Sequence, residues 1–413
     1  MEQPDYQAEQ DNQASERRIH PPAMVAETLD FLACKTLADE NAGNYKPNAV
    51  FLDGTLGTGG HTLAILKAHP TCRVVAFDRD AESQKVALSR LADEGVADRV
   101  TTVLGDFRNA PELLQPFFDN LKVGSDGRPI EAIDGALVDA GMSLYQITWH
   151  ERGLSFRGDG PLDMRYNRSE GASAFDLVNR LTQNELEDLI FQLADERWAR
   201  RIAQFIADYR RTKPIATTSE LAKIVENAIP AGVRHQSRVH PATKTFAALR
   251  LAVNDEFWAL DQGSYALSSV LAPSARLVVL TYSSNEDRTV KRTFRRLAGR
   301  EGNGNDISLS TRPRKRDKGS HDLKSNSGAA RSSLASSKSE LSGAMFSELS
   351  LSLPFDPKFD HQKPVPPSAT GLGETWKMKI LTSRPVVPTD AEIEANPLSR
   401  SCKLRAIEKV LLD

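Results

Sequence analysis

The chain has 413 residues, 40% of them hydrophobic and 26% charged, with a formal net charge of −2. That length buries a real core and suits two domains with appendages. The near-neutral balance gives no global signature of a nucleic-acid binder, although a local basic patch can hide inside it. Cys34, Cys72 and Cys402 are scattered, which argues against a zinc site or disulfide scaffold and favours a reducing compartment. Neither a secretory apolar region nor a run of about 18 apolar residues occurs, so no membrane span and a cytoplasmic location are expected.

Residues 1–18 are polar and read as a disordered tail. Helical spacing of apolar residues over 20–32 predicts a helix that Pro22 starts. The stretch from Val50 to Thr62 then combines a short strand, the glycines Gly54, Gly57, Gly59 and Gly60, and a helix start. Such a turn brings a ligand against bare backbone at a helix N-terminus. Its spacing matches neither the phosphate loop G-x-x-x-x-G-K-[ST] nor the dinucleotide fingerprint G-x-G-x-x-G. Strands at 72–77, 100–104 and 133–138 alternate with helices such as 63–68 and 81–91, the pattern of a parallel, doubly wound α/β sheet.

Beyond a Gly-rich charged loop, helical segments at 174–180, 183–192, 196–211 and 219–227 predict a helical domain inserted over 151–241. Helices over 243–260 and near 265–271 and a strand at 276–282 resume the first pattern. Residues 299–375, rich in Ser, Gly, Pro and Lys and opening on a basic cluster at 312–318, are expected to be disordered. A strand at 376–382 and a last edge strand at 401–407 complete the chain.

The predicted strands end in acids: Asp53, Asp78, Asp106 and Asp139. In an open parallel sheet, ligands bind beyond the carboxyl ends of the strands, at the switch point. Asp78 suits a ribose diol, Asp106 an adenine amine and Phe107 its ring, and nothing demands a pyrophosphate. That set describes S-adenosylmethionine better than NAD. Any one of these acids alone reads equally well as a helix cap.

Asp139, in Asp139-Ala-Gly-Met-Ser-Leu144, is the candidate to orient an exocyclic amine or accept its proton, because such an amine is a poor nucleophile. A turn acid is the plain alternative. His61 either closes the first helical turn or touches the cofactor. The other histidines do not cluster with ligand spacing, so no metal is expected. In the insert, Arg197, Arg200, Arg201, Arg210, Arg211 and Lys213, followed by Arg234, His235, Arg238, His240 and Lys244, suit phosphate contacts or a solvated helix face in equal measure.

Several segments carry a resemblance. They are His20-Pro-Pro22, Asp53-Gly-Thr-Leu-Gly-Thr-Gly-Gly-His61, Phe77-Asp-Arg-Asp80, Glu151-Arg-Gly-Leu-Ser-Phe-Arg157 and Asp159-Gly-Pro-Leu-Asp-Met-Arg165. His240-Pro-Ala-Thr243, Leu249-Arg-Leu-Ala-Val-Asn-Asp-Glu256 and Asn396-Pro-Leu-Ser-Arg-Ser401 follow. Together they resemble the bacterial 16S ribosomal RNA cytosine-N4 methyltransferases of the RsmH (MraW) type.

The resemblance implies a Rossmann-like class I methyltransferase domain over 19–150, 242–298 and 376–413, with a helical insert that helps hold RNA. It implies S-adenosylmethionine as cofactor, contacted by Gly59, Gly60, His61, Asp78, Phe107, Asp139 and Gln146. The partner it implies is 16S rRNA in the small subunit, for which the basic residues Arg197, Arg200, Arg201, Arg234, Arg238 and Lys244, read from charge alone, are the candidate RNA contacts. Oligomeric state stays open, a dimer included.

Two segments depart from the family pattern. The family usually reads Asp-Leu-Gly-Val-Ser-Ser at 139–144, and Ser-Phe-His-Ser-Leu-Glu-Asp-Arg where this chain has Thr281-Tyr-Ser-Ser-Asn-Glu-Asp-Arg288. These changes spare the cofactor site but bear on substrate handling. A fold-conserving, RNA-binding assembly factor with weakened turnover is therefore the alternative reading.

Overall fold

The computed structural model describes residues 21–34, 48–120, 132–234, 239–300 and 376–412. The expected disorder at 1–18 and over 301–375, the basic cluster at 312–318, His235 and Arg238 lie outside the described residues.

Seven described strands form one sheet: β1 (Val50–Asp53), β2 (Arg73–Asp78), β3 (Val100–Leu104), β4 (Ile133–Asp139), β5 (Leu271–Thr281), β6 (Trp376–Ile380) and β7 (Lys403–Leu411), in the order β3-β2-β1-β4-β5-β7-β6. The first five pair in parallel, and β7 pairs antiparallel with both β5 and β6. β1 is buried along its whole length and β4 along most of it, as continuous apolar runs covered on both faces require. One face packs Leu52, Val75, Ala136 and Val279, the other Phe51, Val74, Leu137 and Val278. Strand order reverses between β1 and β4, which opens the ligand crevice there. This arrangement is the Rossmann-like class I methyltransferase fold.

The helices α1 (Val25–Phe31), α2 (Gly60–Ala68), α3 (Ala81–Asp93) and α4 (Ala110–Asn120) accompany the first strands. After β4 a short helix, α5 (Leu144–Thr148), leads into α6 (Ala174–Arg180), α7 (Gln183–Ala194), α8 (Ala199–Tyr209), α9 (Thr218–Ala228) and α10 (Thr243–Val253). Capping boxes start several of them, with Ser173 and Asp176, Thr182 and Glu185, and Thr217 and Glu220 each satisfying the other's backbone N–H. Leu186, Ile190, Ile202, Ile206, Leu221 and Leu249 form a core separate from those of the sheet, so α10 packs with the inserted helices. α11 (Glu256–Val270), before β5 in the chain, and α12 (Ser284–Leu297), after it, return the chain to the sheet and pack into one core.

Two expectations change. The helix read over 243–260 breaks at Asp255, whose φ of 53° is left-handed, and restarts as α11, which absorbs the helix expected near 265–271. The strand read as a last edge, 401–407, is β7 and lies inside the sheet, while β6 takes the edge. Apolar periodicity carries no information on pairing order, and Ala406 and Ile407 are buried as an interior strand demands.

Candidate active site

A cavity of about 360 Å³ lies over the β1/β4 switch point. The glycine loop makes one wall. Asp53 holds that loop: its carboxylate accepts from Thr62 Oγ1 at 2.7 Å and from Thr55 N at 3.0 Å. Thr55 Oγ1 in turn accepts from Asp139 N at 2.7 Å, which ties the loop to the end of β4. Asp53 is buried and does not line the cavity. Gly59 has φ +79° and its missing Cβ would come within 3.3 Å of Ala87, so it lets α2 close against α3. It too stays outside the cavity wall, whereas Gly60 and His61 belong to it.

Asp78 faces the cavity. One carboxylate oxygen accepts from Gly57 N at 2.7 Å and the other from Asp80 N at 2.8 Å, which fixes the group and leaves each oxygen a further acceptor position. Burial pushes its carboxyl up to about 7, against the pull of these two N–H donors. Phe107 sits beside it, its ring seated where a Cβ on Gly263 would come within 2.0 Å of it. Asp106 behaves differently: it caps Arg108 N at 2.9 Å and pairs with Arg108 Nη2 at 2.8 Å and Arg79 Nε at 3.4 Å.

Asp139 is held at both oxygens. Tyr282 Oη donates to Oδ1 at 2.8 Å, and His61 Nδ1 lies 3.4 Å from Oδ2. His61 Nε2 lies 3.0 Å from the carbonyl of Ala23, so both ring nitrogens face acceptors. Burial works against a charged imidazole here, but the Asp139 and Asp53 carboxylates and the Ala23 carbonyl together outweigh it and raise the His61 pKa above its ordinary value. Burial and the same carboxylate keep the Tyr282 phenol protonated, hence a donor. Burial also pushes the Cys34, Cys72 and Cys402 thiols up to about 12, which leaves them poor nucleophiles.

Gln146 lines the cavity, with its amide already engaged: Nε2 donates to Asp80 Oδ2 at 2.8 Å and Oε1 accepts from Ser143 N at 3.1 Å. Asp80 also takes Arg152 Nη2 at 2.5 Å in a buried ion pair that fastens the insert's first loop to β2.

The far wall comes from residues to which the sequence assigned no role. Arg250 forks onto Glu256 at 2.7 and 3.0 Å, Tyr166 Oη donates to Glu256 Oε1 at 3.1 Å, and Asn254 receives Tyr166 N at 2.8 Å. Tyr166, Arg250, Asn254, Glu256 and Tyr282 all line the cavity. Four polar residues within 249–256 and a tyrosine directly after β5 were the available signals.

The basic candidates separate. Arg197, Arg200 and Arg201 are exposed at the start of α8, Arg197 over the Trp198 ring and Arg201 over Phe205. Lys244 Nζ donates to the Asp195 carbonyl at 3.0 Å beside them. Arg234 pairs with Glu226 at 3.1 Å. Arg210 caps α6 through the carbonyls of Val178 and Leu181, while Arg211 and Lys213 pair with Asp208 and Glu220.

A class I fold with a cavity-facing acid at the end of β2 and a clamped carboxylate at the end of β4 defines a methyltransferase-type site. A model of the MraW methylase family matches residues 17–320, and the chain belongs to that family. It is 36% identical over 392 residues to the ribosomal RNA small subunit methyltransferase H of Geobacter sulfurreducens, covering 95% of this chain and 99% of that one. To the protein of the same name from Symbiobacterium thermophilum it is 40% identical over 280 residues, 68% of this chain and 80% of the other.

Proposed function

We propose that the protein transfers the methyl group of S-adenosylmethionine to N4 of a cytidine in the decoding region of small-subunit 16S rRNA, acting in the cytoplasm. The observation that carries this reading is the Asp139 carboxylate, fixed at both oxygens by Tyr282 and His61 in the same cavity that Asp78 and Phe107 line.

The residues present fit the cofactor. Asp78 offers two acceptor positions to a ribose diol, Phe107 an aromatic face to a purine, and the loop from Gly54 to Gly60 a wall of backbone against which the remainder lies. When bound, S-adenosylmethionine supplies an electrophilic sulfonium methyl.

The chain's own groups handle the amine. Each Asp139 oxygen retains an acceptor position for an amine N–H, which draws the nitrogen lone pair out of conjugation and aims it. As the C–N bond forms, the amine becomes more acidic and Asp139 takes its proton. Tyr282 and His61 hold the carboxylate so that this alignment costs no reorganisation. Arg197, Arg200, Arg201 and Lys244 form the basic surface proposed to meet RNA phosphates. It lies near the cavity, because Asn285 Nδ2 in the first turn of α12 donates to the Leu193 carbonyl at 3.2 Å, two residues before Asp195.

The test incubates purified protein with isotope-labelled S-adenosylmethionine and small subunits lacking the modification, then analyses nucleosides by mass spectrometry. Labelled N4-methylcytidine at one position is expected. Cofactor binding without transfer would favour the binding-factor alternative, and label in another nucleoside would overturn the N4 assignment.

A further inference from the structure

A second cavity, of about 180 Å³, lies beside α12, where Lys291, Arg295, Arg300 and Arg405 gather around Phe294 and Ser383. Among the described residues no carboxylate lines it. Arg405, itself buried, is neutralised by Asp287 at 2.7 and 3.2 Å, and Lys291, Arg295 and Arg300 are exposed.

Its position follows from the sheet. β5 pairs Thr281 with Lys403, so β7 begins at the same carboxyl edge that carries the active site, and Arg405 stands two residues below that edge. On α12, Glu286 lines the large cavity while its neighbour Asp287 grips Arg405 of the small one. The first turn of α12 therefore stands between them, with Asn285 touching the insert on one side and Lys403 Nζ reaching Ser284 Oγ at 3.5 Å on the other.

A base presented to the large cavity brings its flanking backbone across this edge. Guanidinium and ammonium groups over an apolar floor form a strong phosphate site, since lower local polarity strengthens the charge–charge attraction. We propose that this groove binds phosphodiester groups of the RNA strand flanking the target nucleotide, a second anchor across α12 from the cations of α8. The proposal rests on the RNA substrate argued above. A purely solvated helix face would not place Arg405, from a strand, in the same concavity as three cations from α12 and its C-terminal end.

The test compares the parent with Lys291→Glu/Arg300→Glu and with Lys67→Glu/Lys85→Glu, a charge-matched control on α2 and α3. Methyl transfer to small subunits is measured at several salt concentrations. The groove variant is expected to raise KM for subunits about tenfold and to flatten the salt dependence by about one to two in log–log slope. Its kcat at saturating subunits, its affinity for S-adenosylmethionine and the control should match the parent.

A parent-like KM and slope in the groove variant would overturn the proposal. So would inhibition by inorganic phosphate that the variant abolishes without any change in KM, which would assign the groove to a free anion. If the parent itself transfers nothing to subunits, the RNA reading fails first, and the two failures are thereby told apart.

Discussion

The carboxyl ends of β1 and β3 and those of β2 and β4 carry the same residue type in the same place, yet they do opposite work. Asp53 and Asp106 spend their oxygens on Thr55, Thr62, Arg108 and Arg79, and so build the loop and the turn after their strands. Asp78 and Asp139 are also anchored, but their groups face the cavity and keep acceptor positions for a ligand. Position on a sheet thus nominates an acid, and whether its group faces the cavity decides between structure and site.

The comparison breaks most visibly if the structural acids prove dispensable. Arg152→Ala would leave Asp80, a third acid spent on structure, buried without a counter-charge, since both side chains are almost fully buried. A loss of roughly 3–5 kcal/mol in unfolding free energy is expected from denaturant titration. A loss within 0.5 kcal/mol would mean that the pair fastens nothing.

Asp78→Ala should leave the fold intact and weaken S-adenosylmethionine binding about 100-fold by calorimetry, the loss of two hydrogen bonds to a charged acceptor. Tyr282→Phe removes one of the two donors that hold Asp139. It should lower kcat about tenfold with cofactor affinity unchanged, because the carboxylate loses part of its fixed alignment. An unchanged kcat would reduce Tyr282 to packing.

The smallest effect is a pH dependence. Asp78 has its carboxyl raised to about 7. Any stability its neutral form contributes is complete below the unfolded value near 4 and is lost as pH rises through about 7. A ribose diol needs the acceptor form, so cofactor affinity should run the other way, falling as pH drops through about 7 in the parent and staying flat in Asp78→Ala.

Much of this was legible in advance. Alternating apolar runs placed the strands and helices, and the glycine loop and strand-end acids located the cavity. Three things were hidden. The break at Asp255 depends on a left-handed backbone that periodicity does not register. The interior place of β7 depends on a crossover. Tyr282 meets Asp139 across 143 residues, so at the end of a strand it reads only as one more apolar residue. The four acids looked alike because which of them faces the cavity is set by tertiary packing, and the Asp139 partners His61 and Tyr282 are both remote in sequence.

The most direct test is the single-turnover rate of methyl transfer, at saturating S-adenosylmethionine and small subunits, in folded Asp139→Asn beside folded Asp53→Asn. Loss of the proton acceptor should slow Asp139→Asn by about 100-fold or more, while Asp53→Asn, destabilised by roughly 1–3 kcal/mol, should stay within a few-fold of the parent once folded. Transfer by Asp139→Asn at the parent's rate would contradict the role given to the carboxylate after β4.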